Sequence, residues 1–137
     1  MTLKLEIVTP EEKVYSEDVD TVVLPTTTGE IGILPGHIPL ITEIKEGELG
    51  VIRMGQLDLL AVDQGFAEIF GDTVSVITEA AIDIEDIDLD SAEAAQRRAE
   101  EALRKAKEEN LHPDEVEALE AKIRFALVQQ LAKKKGK

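Results

Sequence analysis

Leu3, Leu5 and Ile7 alternate with Thr2, Lys4 and Glu6 at the start of the chain, the period of two that marks a strand with one buried face. Short apolar runs follow at Val22-Val23-Leu24, from Ile38 to Ile41, at Val51-Ile52, at Leu57-Asp58-Leu59-Leu60-Ala61-Val62 and at Val74-Ser75-Val76-Ile77. Turn signals separate them: Thr9-Pro10-Glu11-Glu12, Gly29, Pro35-Gly36, Glu46-Gly47, Gly55-Gln56, Gly65 and Gly71-Asp72. Many short strands at this spacing predict a sandwich or barrel, and tight connections predict antiparallel pairing. Pro25 is expected to end its strand, because proline has no N–H to give to a ladder. Pro35-Gly36 reads as the centre of a type II turn, with glycine at the position that needs positive φ.

The pattern changes near Ile84. Glu85-Asp86-Ile87-Asp88-Leu89 reads as an acidic connector, and Asp90 as a helix N-cap with Glu93 as its capping-box partner. From Ser91 to about Glu109 no Gly, Pro or β-branched residue occurs, which predicts a strong helix. Its apolar stripe is Ala95, Ala99, Ala102, Leu103 and Ala106. Residues 110–113 break the helix, and Pro113 suits the first turn of the next. The second helix, to about Leu131, is expected to bury Val116, Leu119, Ile123, Ala126, Leu127 and Leu131 on one side. Two helices with so short a break form an antiparallel hairpin. The predicted fold is therefore mixed: an antiparallel β-sandwich over residues 1–84, a linker over 85–90 and a two-helix hairpin over 91–137. Each small Ala contact contributes about 1 kcal/mol or less, at about 25 cal/mol per Å². The closed hairpin is thus expected to be weakly held, a basis for a conformational switch.

Charge sharpens the division. Residues 1–86 carry 4 Lys and Arg against 18 Asp and Glu, while residues 87–137 carry 11 of each sign. An acidic body argues against a nucleic-acid platform. After Glu120 there are only bases: Lys122, Arg124, Lys133, Lys134, Lys135 and Lys137. Cysteine is absent, so disulfides and thiolate metal sites are excluded. No apolar run reaches the roughly 18 to 20 residues of a membrane helix, and the first ten residues lack a signal-peptide core. A cytosolic setting is expected, with any membrane attachment made through a partner.

Catalytic chemistry has no constellation to rest on. His37 and His112 are far apart in sequence, and a metal site needs more ligands at suitable spacing. Neither a Walker A sequence nor Gly-x-Gly-x-x-Gly is present. An independent enzyme, a metal centre and a resident cofactor are not expected.

Three blocks carry a resemblance: Gly29-Glu30-Ile31-Gly32-Ile33-Leu34-Pro35-Gly36-His37, Ala61-Val62-Asp63-Gln64-Gly65-Phe66-Ala67-Glu68-Ile69 and Val74-Ser75-Val76-Ile77-Thr78-Glu79-Ala80-Ala81, followed by an Ala-rich helical tail. In order and spacing they resemble the ε subunits of F-type ATP synthases, over essentially the whole chain. The resemblance implies a non-catalytic rotor subunit that couples proton flow to ATP synthesis. Its sandwich would bind the γ subunit and the c-ring, and its hairpin would restrain ATP hydrolysis in the catalytic α and β subunits. Residue by residue, it implies a c-ring contact at Thr28, Gly29, Glu30 and Ile31, and a γ contact at His37 and Pro39. Lys122, Arg124, Lys133, Lys134 and Lys135 would meet an acidic loop of the catalytic β subunit. The expected location is peripheral, on the cytoplasmic face of a plasma membrane or the stromal face of a thylakoid.

The alternative is a nucleotide-sensing hairpin that closes on ATP, with Asp90, Arg97 and Arg98 as candidate ligands. The resemblance speaks against it at one position. Family members that bind ATP carry Ile/Leu-Asp-x-x-Arg-Ala, whereas this chain reads Leu89-Asp90-Ser91-Ala92-Glu93-Ala94. Glu93 puts an anion where a phosphate needs a cation. A stand-alone acidic β-domain with a helical adaptor is the third reading.

Overall fold

In the computed structural model, which describes residues 2–110 and 112–135, the chain divides into two compact units, residues 1–83 and residues 84–137. The first is all β: β1 (Leu3–Val8), β2 (Lys13–Val19), β3 (Thr21–Thr26), β4 (Gly29–Ile33), β5 (Leu40–Ile44), β6 (Gly47–Arg53), β7 (Gln56–Val62), β8 (Gly65–Phe70), β9 (Thr73–Thr78) and β10 (Ala81–Asp83). Their order along the sheet is β10-β7-β6-β3-β5-β8-β9-β1-β2, with β4 paired to β3. Leu3, Leu5 and Ile7 near one end of that order share a core cluster with Leu60 and Val62 near the other. The sheet therefore folds back on itself as a sandwich around one core. Every strand from β1 to β9 gives that cluster at least one buried side chain.

Most pairs are antiparallel, as tight turns require, but β1 lies parallel to β9, with Lys4 opposite Thr73 and Val8 opposite Ile77. Sequence-adjacent strands cannot pair in this way; these two are joined by most of the unit, long enough to return in the same direction. Among the strands not singled out by pattern are β2, β8 and β10. β2 reads KVYSEDV and sits at the sheet edge, where charge hinders pairing with another chain. β10 has only three residues.

Pro25 does not end its strand. It lies inside β3, opposite Glu30 of β4. On its other side β3 changes neighbour: β6 pairs up to Val23 and β5 pairs only at Thr26. At that changeover the Pro25 carbonyl accepts from Lys45 N–H at 3.1 Å, and no donor is required of Pro25. The expected type II turn is present: Gly36 has φ of 87° and His37 N–H donates to Leu34 O at 3.1 Å.

The second unit opens with a 3-10 turn, Ile84–Asp86, followed by α1 (Leu89–Glu108) and α2 (Pro113–Lys135). The N-cap of α1 is Asp88, not Asp90. Asp88 is extended, its Oδ1 accepts from Asp90 N–H at 3.1 Å, and its Oδ2 accepts from the Ser91 hydroxyl at 2.8 Å. The extended backbone of Asp88 places its carboxylate over the first turn, so the cap lies two residues before the expected one and the helix starts at Leu89 instead of Ser91. Pro113 opens α2 as expected, with His112 Nδ1 accepting from Asp114 N–H at 3.1 Å. Leu111 lies outside the described residues.

In α1 the buried side chains are Ala92, Ala99 and Ala106, seven residues apart. Those of α2 are Ala121, Ala126, Gln130 and Ala132. Two residues of its expected stripe are exposed instead: Leu127 at 40% and Leu131 at 65%. The reason is that α2 is apolar on more than one side, with Phe125 and Val128 also half-buried. Helical periodicity alone then fails to select the inward row. No helix among the described residues is long and apolar enough to cross a membrane.

Candidate functional site

The β3–β4 hairpin presents Thr28, Gly29, Glu30 and Ile31. Thr26, buried beneath the tip, organises it. Its hydroxyl oxygen accepts from Thr28 N–H at 3.3 Å, lies 3.3 Å from the Thr28 hydroxyl, and the hydroxyl donates to Gly29 O in a short bond. Gly29 has φ of 118°, a left-handed backbone that favours glycine. Thr28 and Glu30 are exposed, and Glu30 has no ion-pair partner among the described residues. Ile31 is half-buried and packs against the core cluster. The tip is thus an exposed, preorganised loop carrying one uncompensated carboxylate.

His37 and Pro39 stand beyond the type II turn. The half-buried His37 ring holds its Nδ1 2.7 Å from Ile38 O, so Nδ1 is the protonated nitrogen of the pair. Pro39 is exposed and borders an open groove of about 390 Å³ with Leu40, Ile41, Glu68, Ile69 and Phe70.

This groove belongs to a larger feature that the sequence reading missed. On β5, β8 and β9 four of the side chains that alternate away from the core are large and apolar, interspersed with Glu43, Glu68, Thr73 and Ser75. Ile41 is 70% exposed, Phe66 55%, Phe70 72% and Ile77 60%. Phe66 lies opposite Ile77 across the β8–β9 pair, and Ile77 lies opposite Val8 across the β9–β1 pair. The result is an apolar row over three adjacent strands. A second groove, of about 370 Å³, lies at this row between Val8, Pro10, Phe66 and Ile77. Ile38 and Leu34, near the turn, are also largely exposed. Glu43 and Glu68 rim this row, and an exposed apolar patch with a polar rim marks a surface that another surface covers. The available signal was β8 itself, GFAEIF, in which Phe66 and Phe70 occupy the positions that alternation reserves for polar residues.

The basic residues of α2 do not form one cluster. Lys122 and Arg124 are two residues apart, about 200° around the helix. Lys122 is exposed, while Arg124 donates to Glu117 at 2.8 Å. Lys133 Nζ turns back to the 3-10 turn, 3.4 Å from Ile84 O and 3.2 Å from Glu85 O. Lys134 and Lys135 are exposed at the end of the helix.

Asp90, Arg97 and Arg98 lie exposed on α1, and the Asp90 backbone N–H is taken by Asp88. Arg97 and Arg98 border a shallow depression with Glu101, Ala102 and Lys105. Glu93, where the ATP-binding pattern has arginine, is half-buried in the first turns of α1. Among the described residues no group of three or more His, Asp or Glu is placed to hold a metal ion. What stands out on the surface is an apolar sheet face, a preorganised tip and a helical hairpin.

Known proteins agree with this anatomy. The family described as "ATP synthase, Delta/Epsilon chain, beta-sandwich domain" matches residues 2–84. The ATP synthase epsilon chain of Geotalea daltonii is 41% identical, covering 98% of this chain and 96% of its own. That of Pelotomaculum thermopropionicum is 48% identical over 76% of this chain and 78% of its own. Among solved structures, a chain of the Euglena gracilis mitochondrial ATP synthase (OSCP/F1/c-ring) superposes with a TM-score of 0.64 at 25% identity, covering 95% of this chain and 79% of that one. The chain belongs to the ATP synthase ε-chain family, the non-catalytic subunit family of the F-type enzyme's central stalk.

Proposed function

We propose that the sandwich anchors the chain to the γ subunit of the stalk through the apolar row on β8, β9 and β1, and that the β3–β4 tip rests on the c-ring. The observation that carries this reading is the exposure of Phe66, Phe70, Ile77 and Ile41 on neighbouring strands. Burying such a face supplies the main driving force of a stable interface. His37 and Pro39 sit near its border, which makes them rim contacts of the same interface. At the tip, Glu30 offers a carboxylate to the polar loops of the c-ring. The assembly also accounts for attachment at a membrane surface by a chain whose described helices do not span one.

The hairpin is the regulatory part of this proposal. Extended along the stalk, it brings Lys122, Arg124, Lys134 and Lys135 to the catalytic subunits and restrains ATP hydrolysis. Lys133 joins them only after leaving the carbonyls of Ile84 and Glu85.

The anchor is tested by binding to γ in a reconstituted complex. Replacing Phe66→Ser together with Phe70→Ser is expected to weaken γ binding by about tenfold or more, since aromatic anchors dominate interface energetics. The fold should persist, because both rings are already largely exposed. Glu30→Lys is expected to leave γ binding intact and to weaken association with the c-ring. Unchanged γ affinity in the double Ser variant would refute the anchor.

A further inference from the structure

The seven-residue spacing of Ala92, Ala99 and Ala106 makes the inner row of α1 nearly self-similar. A partner helix displaced by seven residues would again meet alanine where it met alanine before. Small side chains also make shallow knobs and holes, so packing alone discriminates weakly between alignments. Some other feature must choose the register.

Gln96 lies on the same side of α1 as these alanines, about 40° from Ala92. Its Oε1 accepts from Gln130 Nε2 of α2 at 2.7 Å. Gln130 is the buried polar side chain of α2, at 8% exposure. The orientation of the Gln96 amide is set from its own helix, because Nε2 donates to Glu100 at 3.3 Å. That leaves the oxygen toward α2. One turn beyond Gln130, Lys133 donates to the carbonyls of Ile84 and Glu85. Both contacts are satisfied together in this alignment.

We propose that Gln96 and Gln130, seconded by Lys133, form a polar register key that selects one closed alignment of the hairpin. A seven-residue slip restores the Ala contacts but brings Leu89 or Leu103 to the place of Gln96. A slip of about one turn brings Ala92 or Ala99 in two alignments, and Glu93 or Glu100 in the other two. Opposite Leu or Ala the buried Gln130 amide loses its acceptor, and an unsatisfied buried donor is costly; opposite Glu93 or Glu100 the slip is opposed by Lys133, which leaves the carbonyls of Ile84 and Glu85. Separated helices incur no such cost, since both amides are then hydrated. The key therefore penalises wrong closed states without locking the hairpin shut, which suits a hairpin that must open and close again in register.

Because the chain has no native cysteine, spin labels can be placed on full-length protein at Lys105→Cys and Lys122→Cys, both exposed positions. Electron–electron distance measurement is expected to give one narrow distribution. Adding Gln96→Leu and Gln130→Leu removes the key while leaving apolar bulk, and should produce a second or displaced peak, by about 5 Å or more, one helical turn. Helical content by circular dichroism should be retained. The same single narrow peak in the Leu variant would overturn the proposal. So would loss of the helical signal, which would make the pair a packing element instead of a register key.

Discussion

At Gly65 a single missing carbon decides the geometry of a strand junction. A Cβ built there would lie 2.0 Å from Ile77 O and 2.8 Å from Thr78 Cα. Both obstacles are backbone, so no side chain can swing aside. Gly65 pairs with Ile44 on one strand and Thr78 on the other, and the Thr78 hydroxyl donates to Asp63 O at 2.6 Å just before the junction. Gly65→Ala is expected to destabilise the chain by about 3 kcal/mol, the upper end for overpacking, or to open the β8–β9 ladder. Denaturant unfolding of the variant checks this, and a loss below about 1 kcal/mol would show that the junction relaxes. From sequence, Gly65 was legible only as a turn signal. Its real constraint is a neighbour far along the chain, which no local pattern encodes. The type II turn at Pro35-Gly36, by contrast, was fully legible, because its chemistry is contained in consecutive residues. Glu30 lies between these cases: its exposure was readable, and the buried Thr26 that shapes its loop was not.

Among elements, the strands were found where alternation was clean and missed where it was not. β1 and β9 show period two with buried apolar positions, and both were anticipated. β2 is an edge strand of mostly polar residues and gave no such signal. The apolar sheet face was missed because Gly65 registered only as a turn signal and Glu68 interrupts the outward side of β8 between Phe66 and Phe70. For the helices, composition revealed their existence, but the start of α1 was displaced by a competing cap. The Asp88 carboxyl is held below the usual carboxylate range by the Ser91 hydroxyl and by backbone N–H groups of the first turn. A lowered folded-state pKa means that the cap's contribution is present above the unfolded value. It is lost as pH falls through the folded value, so the first turn of α1 should fray only in acid, below the ordinary carboxylate range. Amide exchange at Asp90, followed from neutral to acid pH, should show protection falling in that window. Asp88→Asn should keep the cap and remove its dependence on pH, whereas Asp88→Ala should expose the turn at every pH. Protection in the native chain that does not change with acid would refute the role of Asp88.

For the whole molecule, the two units differ in how they are held. The sandwich surrounds one core of Leu, Ile and Val from nine strands. The hairpin closes largely on alanine and one part-buried amide pair, and burying such small side chains contributes little per residue. The function proposed above, an anchored body with a movable regulator, would use this contrast. That contrast was visible in the sequence as a change from β-branched residues and Gly-containing turns to a long Ala-rich run. The docking surfaces were less visible, since they depend on which faces the folded sheet leaves open. The most direct test of this account is ATP hydrolysis by a reconstituted catalytic head carrying either the full chain or a chain ending at Ile84, with γ binding measured for both. The account predicts equal γ binding and higher hydrolysis with the shortened chain, the sandwich serving as anchor and the hairpin as brake. Equal hydrolysis with both chains bound would contradict the brake, and failure of either chain to bind γ would contradict the anchor.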